Sequence, residues 1–188
     1  LLGDFIESFT GLNHRNSWKG LARGQYGMNA IVLCFEILYS VVISKIHNLK
    51  TVYIVSGNHD RVTSDSKEDA KGEVGMLLAY LLEQKLTNVE VKYHPMVLTE
   101  VIDDICYVMT HGHLSISKKE ISKMLFDYGK QGYYNVVMQG HLHSRIIKKT
   151  HRRKQYEWKE VQVVQLDEVD YRFIVLPPMF TGNFYSES

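Results

Sequence analysis

Four short runs of the sequence deliver oxygen- and nitrogen-donor side chains into glycine-containing turns: Gly3-Asp4, Gly57-Asn58-His59-Asp60, Thr110-His111-Gly112-His113 and Gly140-His141-Leu142-His143. Together they offer the carboxylate of Asp4, the amide oxygen of Asn58 and the imidazoles of His59, His111, His113, His141 and His143. Oxygen and imidazole donors without thiolate suit Mn, Fe(II) or Zn rather than Cu(I) or an iron–sulfur cluster. In His141-Leu142-His143 the two histidines are two apart, so an extended backbone points both to one face, where they can serve two adjacent metals or one together. Taken singly, each run also has a plain structural reading, because Gly, Asn and Asp are turn formers in any protein. The chemistry lies in the combination and requires the four turns to converge at one edge. His14, His47, His94 and His151 lack such a setting and read as surface or core residues.

Each of the four turns follows a short apolar run: Leu1-Leu2, Val52-Tyr53-Ile54-Val55, residues 105–109 and Val136-Val137-Met138. Continuous apolar strands suit a sheet covered on both faces, and such sheets place ligand sites outside the strand ends. Between the strands lie helical patterns. Residues 30–46 are apolar almost all round, which predicts a helix buried against a sheet; Leu77, Leu78, Leu81 and Leu82 mark one face of a second. Ser117 and Glu120 have capping-box spacing ahead of Ile121, Met124, Leu125 and Tyr128, which predicts the start of a third. After His143 the pattern becomes strand-like at about 144–150, 156–166 and 171–176, a β-rich C-terminal third. The alternation makes an α/β fold over residues 1–188, read as a single domain.

The ordered set of four blocks closely resembles the calcineurin-like metallophosphoesterase signature, over the stretch from Leu1 to about His143. That resemblance implies a four-layer α/β/β/α sandwich and a hydrolase for phosphate esters that works through two divalent transition-metal ions, Mn foremost, with Zn or Fe as alternatives. It further implies that Asp4 bridges the two metals, that Asn58, His111 and His141 complete one, and that His143 serves the other. His59 corresponds to the residue beside the leaving group. The family's Asp-x-His block, on a strand ahead of Gly-Asp, has no counterpart here, and the expectation is a chain that lacks its N-terminal strand. The implied reaction is in-line attack by a metal-bridged hydroxide, the metals standing about 3.5–4 Å apart. In it His59 protonates the leaving oxygen or stabilises the transition-state charge, with Asp60 orienting its imidazole and favouring its protonated form, and His113 touches the phosphate or backs a ligand.

Substrate class is less legible. Arg145, Lys148, Lys149, His151, Arg152, Arg153 and Lys154 form a basic cluster just after the His-Leu-His run, able to pair with a DNA or RNA backbone or simply to solvate a hairpin tip. Arg145 is thereby a candidate substrate contact. The leading expectation is a phosphodiesterase or nuclease, similar to the DNA-repair exonuclease and phage-encoded branches. A phosphomonoesterase for a nucleotide, phosphoprotein or other small phosphate ester is the alternative, and an inactive interaction module on the same fold the third reading. Composition narrows little: 22 Lys and Arg against 21 Asp and Glu give a net charge of +1, neither a nucleic-acid coat nor an acidic tail. Cys34 and Cys106 lack any CxxC or Cys/His spacing, so neither a disulfide framework nor a zinc knuckle is expected, and the cytoplasm is the expected setting. The apolar stretch 30–46, interrupted by Glu36 and Lys45, falls short of the roughly 20 residues of a bilayer span, so no membrane partner is expected.

Overall fold

The computed structural model describes residues 1–7, 9, 25–63, 73–113, 118–141 and 171–175. They fall in two compact units, Leu1–Met96 and Val97–Ser188. The first unit is built on β1 (Thr51–Val55) and β2 (Glu90–His94), a parallel pair in which Val55 stands opposite His94. Leu1 and Leu2 run beside β1 in the same sense: Leu2 bridges Val55, the Leu1 nitrogen donates to the Tyr53 carbonyl at 2.8 Å, and the Leu1 carbonyl accepts from the Val55 N–H at 3.1 Å. A parallel pair needs a crossover, which α2 (Glu73–Lys85) supplies. Val74, Leu78 and Leu82 recur every four residues along α2 and all stand at 0% exposure, against Ile54 of β1. Full burial of side chains of this size contributes about 1.5–3 kcal/mol each, which makes this row the anchor of the unit.

The helix expected at 30–46 exists, with two differences. It runs as α1 (Gly27–Ile37), passes through one π-helical turn (Leu38–Val42) and ends in a 3-10 turn (Ile43–Lys45). It also buries only one face, through Ala30, Ile31, Leu38 and Ile43, while Met28, Val32, Leu33, Ile37 and Val41 are exposed, Val41 to 64%. The expectation of all-round burial came from composition, whereas a single layer of strands beneath a helix has room for only one stripe of it. The continuous stretch Gly27–Lys45 has 19 residues and, by length and composition, would suffice to cross a membrane, contrary to the sequence reading. Its inner face is committed to the core of the unit.

The second unit is a four-stranded sheet in the order β3 (Val97–Ile102), β4 (Ile105–Thr110), β5 (Tyr134–Gln139), β6 (Tyr171–Val175). β3 and β4 form an antiparallel hairpin around Asp103 and Asp104, with Asp103 in the left-handed region (φ +54°), a conformation Asp tolerates better than most residues. β5 and β6 then add in parallel, and α3 (Lys118–Tyr128) lies between β4 and β5 in sequence, as a parallel crossover requires. Cys106, Val108 and Val137 of the sheet and Met124 and Leu125 of α3 make the core. Buried Asn135 closes the entry to β5, accepting the Lys130 N–H at 2.9 Å and donating to the carbonyls of Lys130 and Tyr133.

The α/β alternation is therefore as expected, and β6 lies within the third segment expected to be strand. The sequence reading passed over β2 and β3. The other two expected strands, at 144–150 and 156–166, and the Ser117 cap lie outside the described residues. Both cysteines are free thiols.

Candidate metal centre

In the first unit the site begins with strand register. Leu2 and Val55 are level neighbours in parallel, so the chain leaves both strands at the same end, Asp4 two residues beyond one and Asn58 three beyond the other. Two glycines let these turns touch. A Cβ at Gly3 would overlap the backbone of Ser56 and Gly57, and a Cβ at Gly57 would overlap the carboxylate and amide nitrogen of Asp4. Asp4 itself sits at φ +53°, a left-handed conformation that needs outside support in a residue with a Cβ.

The support is visible. Asp60, at 0% exposure, accepts the backbone N–H groups of Asp4 (2.9 Å) and Gly57 (2.7 Å) on Oδ2 and of Phe5 (2.7 Å) on Oδ1. Its own carbonyl accepts the Val74 N–H at 3.2 Å, tying the turn to the first residues of α2. Asp4 Oδ1 in turn accepts the His59 N–H at 3.0 Å. The His59 ring has a different partner from the one the sequence suggested: its Nδ1 lies 2.6 Å from the backbone carbonyl of Glu7. Only a protonated Nδ1 can donate to a carbonyl, so this contact fixes the tautomer and leaves Nε2 as the nitrogen that gives or takes a proton. The Glu7 carbonyl therefore helps to orient His59, and the three Asp60 hydrogen bonds given above hold the backbone of the two turns. The Glu7 carboxylate stands 3.9 Å from His59 Nδ1. Burial raises the Glu7 carboxyl above its ordinary value; a charged His59 pulls it back and the charge of Asp4 pushes it up again. Burial, with the Asp60 charge adding to it, pushes the Cys34 thiol up to about 12, which leaves it a protonated, inert filler.

The second unit repeats the register device with different donors. Thr110 and Gln139 are partners at the ends of parallel β4 and β5, so His111 and His141 emerge side by side. His111, 2% exposed, places Nε2 3.1 Å from Nδ1 of His141, with the rings edge to face at 4.9 Å. The His113 ring lies 5.6 Å from that of His111 and 6.2 Å from that of His141, completing a cluster of three imidazoles. Gly112, at φ +95°, has no space for a Cβ because the side chain of Gln139 occupies it. Gln139, fully buried, donates from Nε2 to the Gly112 carbonyl at 3.0 Å and so pins the turn between His111 and His113. His141, like Asp4, is a non-glycine residue in the left-handed region, at φ +67°.

This geometry fits a divalent transition metal. Two imidazole nitrogens each about 2.0–2.1 Å from one zinc-sized ion stand about 3 Å apart, and the separation here is 3.1 Å. A cation there needs both of these nitrogens unprotonated, so it competes with protons for them and its binding strengthens as pH rises through the imidazole range. When bound, divalent metals supply positive charge to phosphate oxygens and a water acidified towards neutrality. Of the residues expected from sequence, the structure places Asp4, Asn58, His59 and Asp60 on the paired turns of the first unit and His111, His113 and His141 on those of the second. His143 and Arg145 lie outside the described residues. Sequence reasoning missed Glu7 and Gln139. Gln139 carried a readable signal, an amide ending an otherwise apolar strand directly before a histidine turn; Glu7 carried none, since it acts through its backbone.

The calcineurin-like phosphoesterase superfamily domain matches residues 14–164, a stretch that begins after Gly3-Asp4 and contains the three later blocks. No curated protein and no solved structure matches the chain at a significant level. The match covers more than half of the chain, its blocks are those that emerge from the strand ends, and the mixed α/β layering agrees with it. The chain belongs to the calcineurin-like phosphoesterase superfamily, and is a metal-dependent hydrolase of phosphate esters.

Proposed function

We propose that the protein is a phosphodiesterase of the nuclease kind, its ligands Asp4, Asn58, His111, His141 and His143 serving two divalent transition-metal ions, Mn in the first instance. The observation that carries the metal assignment is the 3.1 Å approach of His111 Nε2 to His141 Nδ1. Choice of a diester rests on two supports. One is the His59 ring, whose Nδ1 is held by the Glu7 carbonyl so that Nε2 is free of tautomeric ambiguity and suited to protonate a departing alkoxide. The other is the basic run from Arg145 to Lys154, which follows the last ligand block and matches a polyanionic backbone in sign.

In this reading the residues of the chain have separate tasks. Asp4 and Asn58 bring oxygen donors, the histidines of the second unit bring nitrogen donors, and the backbone of both turn pairs holds them without adjustment at the moment of reaction. His59 acts on the leaving group, so the His59→Gln protein should keep its metal and lose about 10²–10⁴ in diester turnover. His113 and Arg145 are proposed contacts of the substrate phosphate. The protein works on a soluble substrate in the cytoplasm, with no membrane partner. The decisive assay uses Mn-loaded protein on single-stranded DNA, double-stranded DNA, a generic aryl diester and a phosphomonoester. Cleavage of the diesters with weak monoester activity is expected; cleavage confined to the monoester would transfer the protein to the phosphomonoesterases.

A further inference from the structure

We infer that Asp60 is a positioning residue for Asp4, and sets the metal affinity of the first-unit turns rather than the protonation of His59. The inference rests on the reading of Asp4 as a metal ligand. Its own basis is the set of contacts inside the first unit. The carboxylate is fully buried, and it accepts from three backbone N–H groups, two from the turn that carries Asp4 and one from the turn that carries Asn58 and His59. A buried carboxylate without compensating donors is costly, so this one is satisfied only while both turns keep their places.

The geometry gives the carboxylate a specific task. Asp4 has φ +53°, and a residue with a Cβ persists there only when its surroundings over-determine it. Two of these N–H groups, those of Asp4 and Phe5, flank this strained residue on either side. The third, from Gly57, fixes the backbone that a side chain at Gly57 would drive into Asp4. The Asp4 side chain is then aimed by its own acceptance of the His59 N–H. Asp60 therefore holds a strained ligand in its working conformation through the peptide backbone. The His59 ring has its own anchor in the Glu7 carbonyl.

The test compares Asp60→Asn, His59→Gln and Asp4→Asn with the wild type in three measurements: Mn²⁺ affinity by calorimetry on metal-free protein, kcat at saturating Mn²⁺, and the dependence of kcat on leaving-group pKa across a series of aryl diesters. Asp60→Asn keeps the shape but replaces an acceptor oxygen by a donor facing N–H groups. It should weaken Mn²⁺ binding by about 10–100-fold, the usual effect of losing a group that orients a ligand. It should recover kcat when Mn²⁺ is saturating, and show the wild-type leaving-group dependence. Wild-type Mn²⁺ affinity with the steep leaving-group dependence of His59→Gln would return Asp60 to His59 and overturn the inference. A fall in thermal stability with both readouts unchanged would overturn it too, by making Asp60 a purely structural residue. Undiminished Mn²⁺ binding by Asp4→Asn would instead remove Asp4 from the ligands, a failure of the underlying reading. Should Asp60→Asn not fold, amide exchange on the metal-free wild type decides. The N–H groups of Asp4, Phe5 and Gly57 should open together, and independent opening would defeat the idea.

Discussion

The two units solve one problem in opposite ways. Both place a pair of donor-bearing turns at the level ends of parallel neighbours, Leu2 beside β1 in one and β4 beside β5 in the other. In the first unit the turns are fixed by backbone N–H groups converging on the Asp60 carboxylate, so the arrangement is complete before any cation arrives. In the second the donors are two imidazoles that lean on each other at 3.1 Å, an arrangement that a proton or a cation can hold. The difference teaches that pre-organisation and proton competition are divided within one chain: the first unit should be insensitive to metal removal, the second sensitive to it and to pH.

The sharpest way to break the comparison is to remove an imidazole. His111→Ala or His141→Ala should weaken Mn²⁺ binding by more than the ~10–100-fold typical of groups that only orient a ligand. Calorimetry at two pH values would check it, with affinity rising with pH in the wild type and little retained in either variant. Next in size is Gly57→Ala, which drives a methyl group into Asp4. Overpacking of this kind costs about 1–3 kcal/mol, and a lowered denaturant midpoint in metal-free protein would show that the first unit is rigid on its own. Gln139→Leu is expected to be milder. It strips the buried Gly112 carbonyl of its donor for about 1–2 kcal/mol, and should loosen the second unit with Asp60 and its partners undisturbed.

The smallest effect is a pH dependence at Glu7, measured on metal-free protein. Burial, the leading cause, raises its carboxyl above the ordinary 4.5. The folded chain therefore holds this proton more tightly than the unfolded one. The resulting stability is fully present below pH 4.5 and is lost as pH rises through the folded value. Glu7→Gln cannot lose it, so melting temperatures of wild type and variant should diverge in the variant's favour as pH rises from 4.5 and then run parallel. A constant gap at every pH would show that Glu7 does not titrate differently in the folded state.

Legibility in the sequence followed the kind of interaction involved. The strands β1, β4 and β5 were readable because each is a short apolar run ending in a glycine turn, and three of the donor turns followed from them, that of Asp4 following Leu1-Leu2. β2 and β3 escaped because Glu-Val-Lys-Tyr-His and Val-Leu-Thr-Glu-Val-Ile carry polar side chains on half-exposed strands, with no donor turn to draw attention to them. The helix at 27–45 was visible, but composition alone overstated its burial, since exposure of Val32 or Val41 depends on how many layers cover it. At the site, donor types were legible and their supports were not. Asp60 is read from sequence only with its neighbour His59, and its hydrogen bonds to Asp4 and Phe5, more than fifty residues away, could not be read there. A carboxylate that binds backbone leaves no trace in the identity of the residues it binds.

The left-handed backbone at Asp4 and His141 also limits where change can enter. Asp, Asn, His and Gly are the residues that tolerate such a conformation. Exchange to Glu or Cys, the obvious routes to another metal preference, is thus closed at both places by the peptide chain rather than by coordination chemistry. Among the tolerated replacements Asn and Gly give up the charge or the donor, and only an exchange between Asp and His keeps a strong ligand. A variant line seeking a new metal would have to begin elsewhere, at Asn58 or His111, while one drifting towards an empty, quieter fold could begin at Asp4 with a single gentle step.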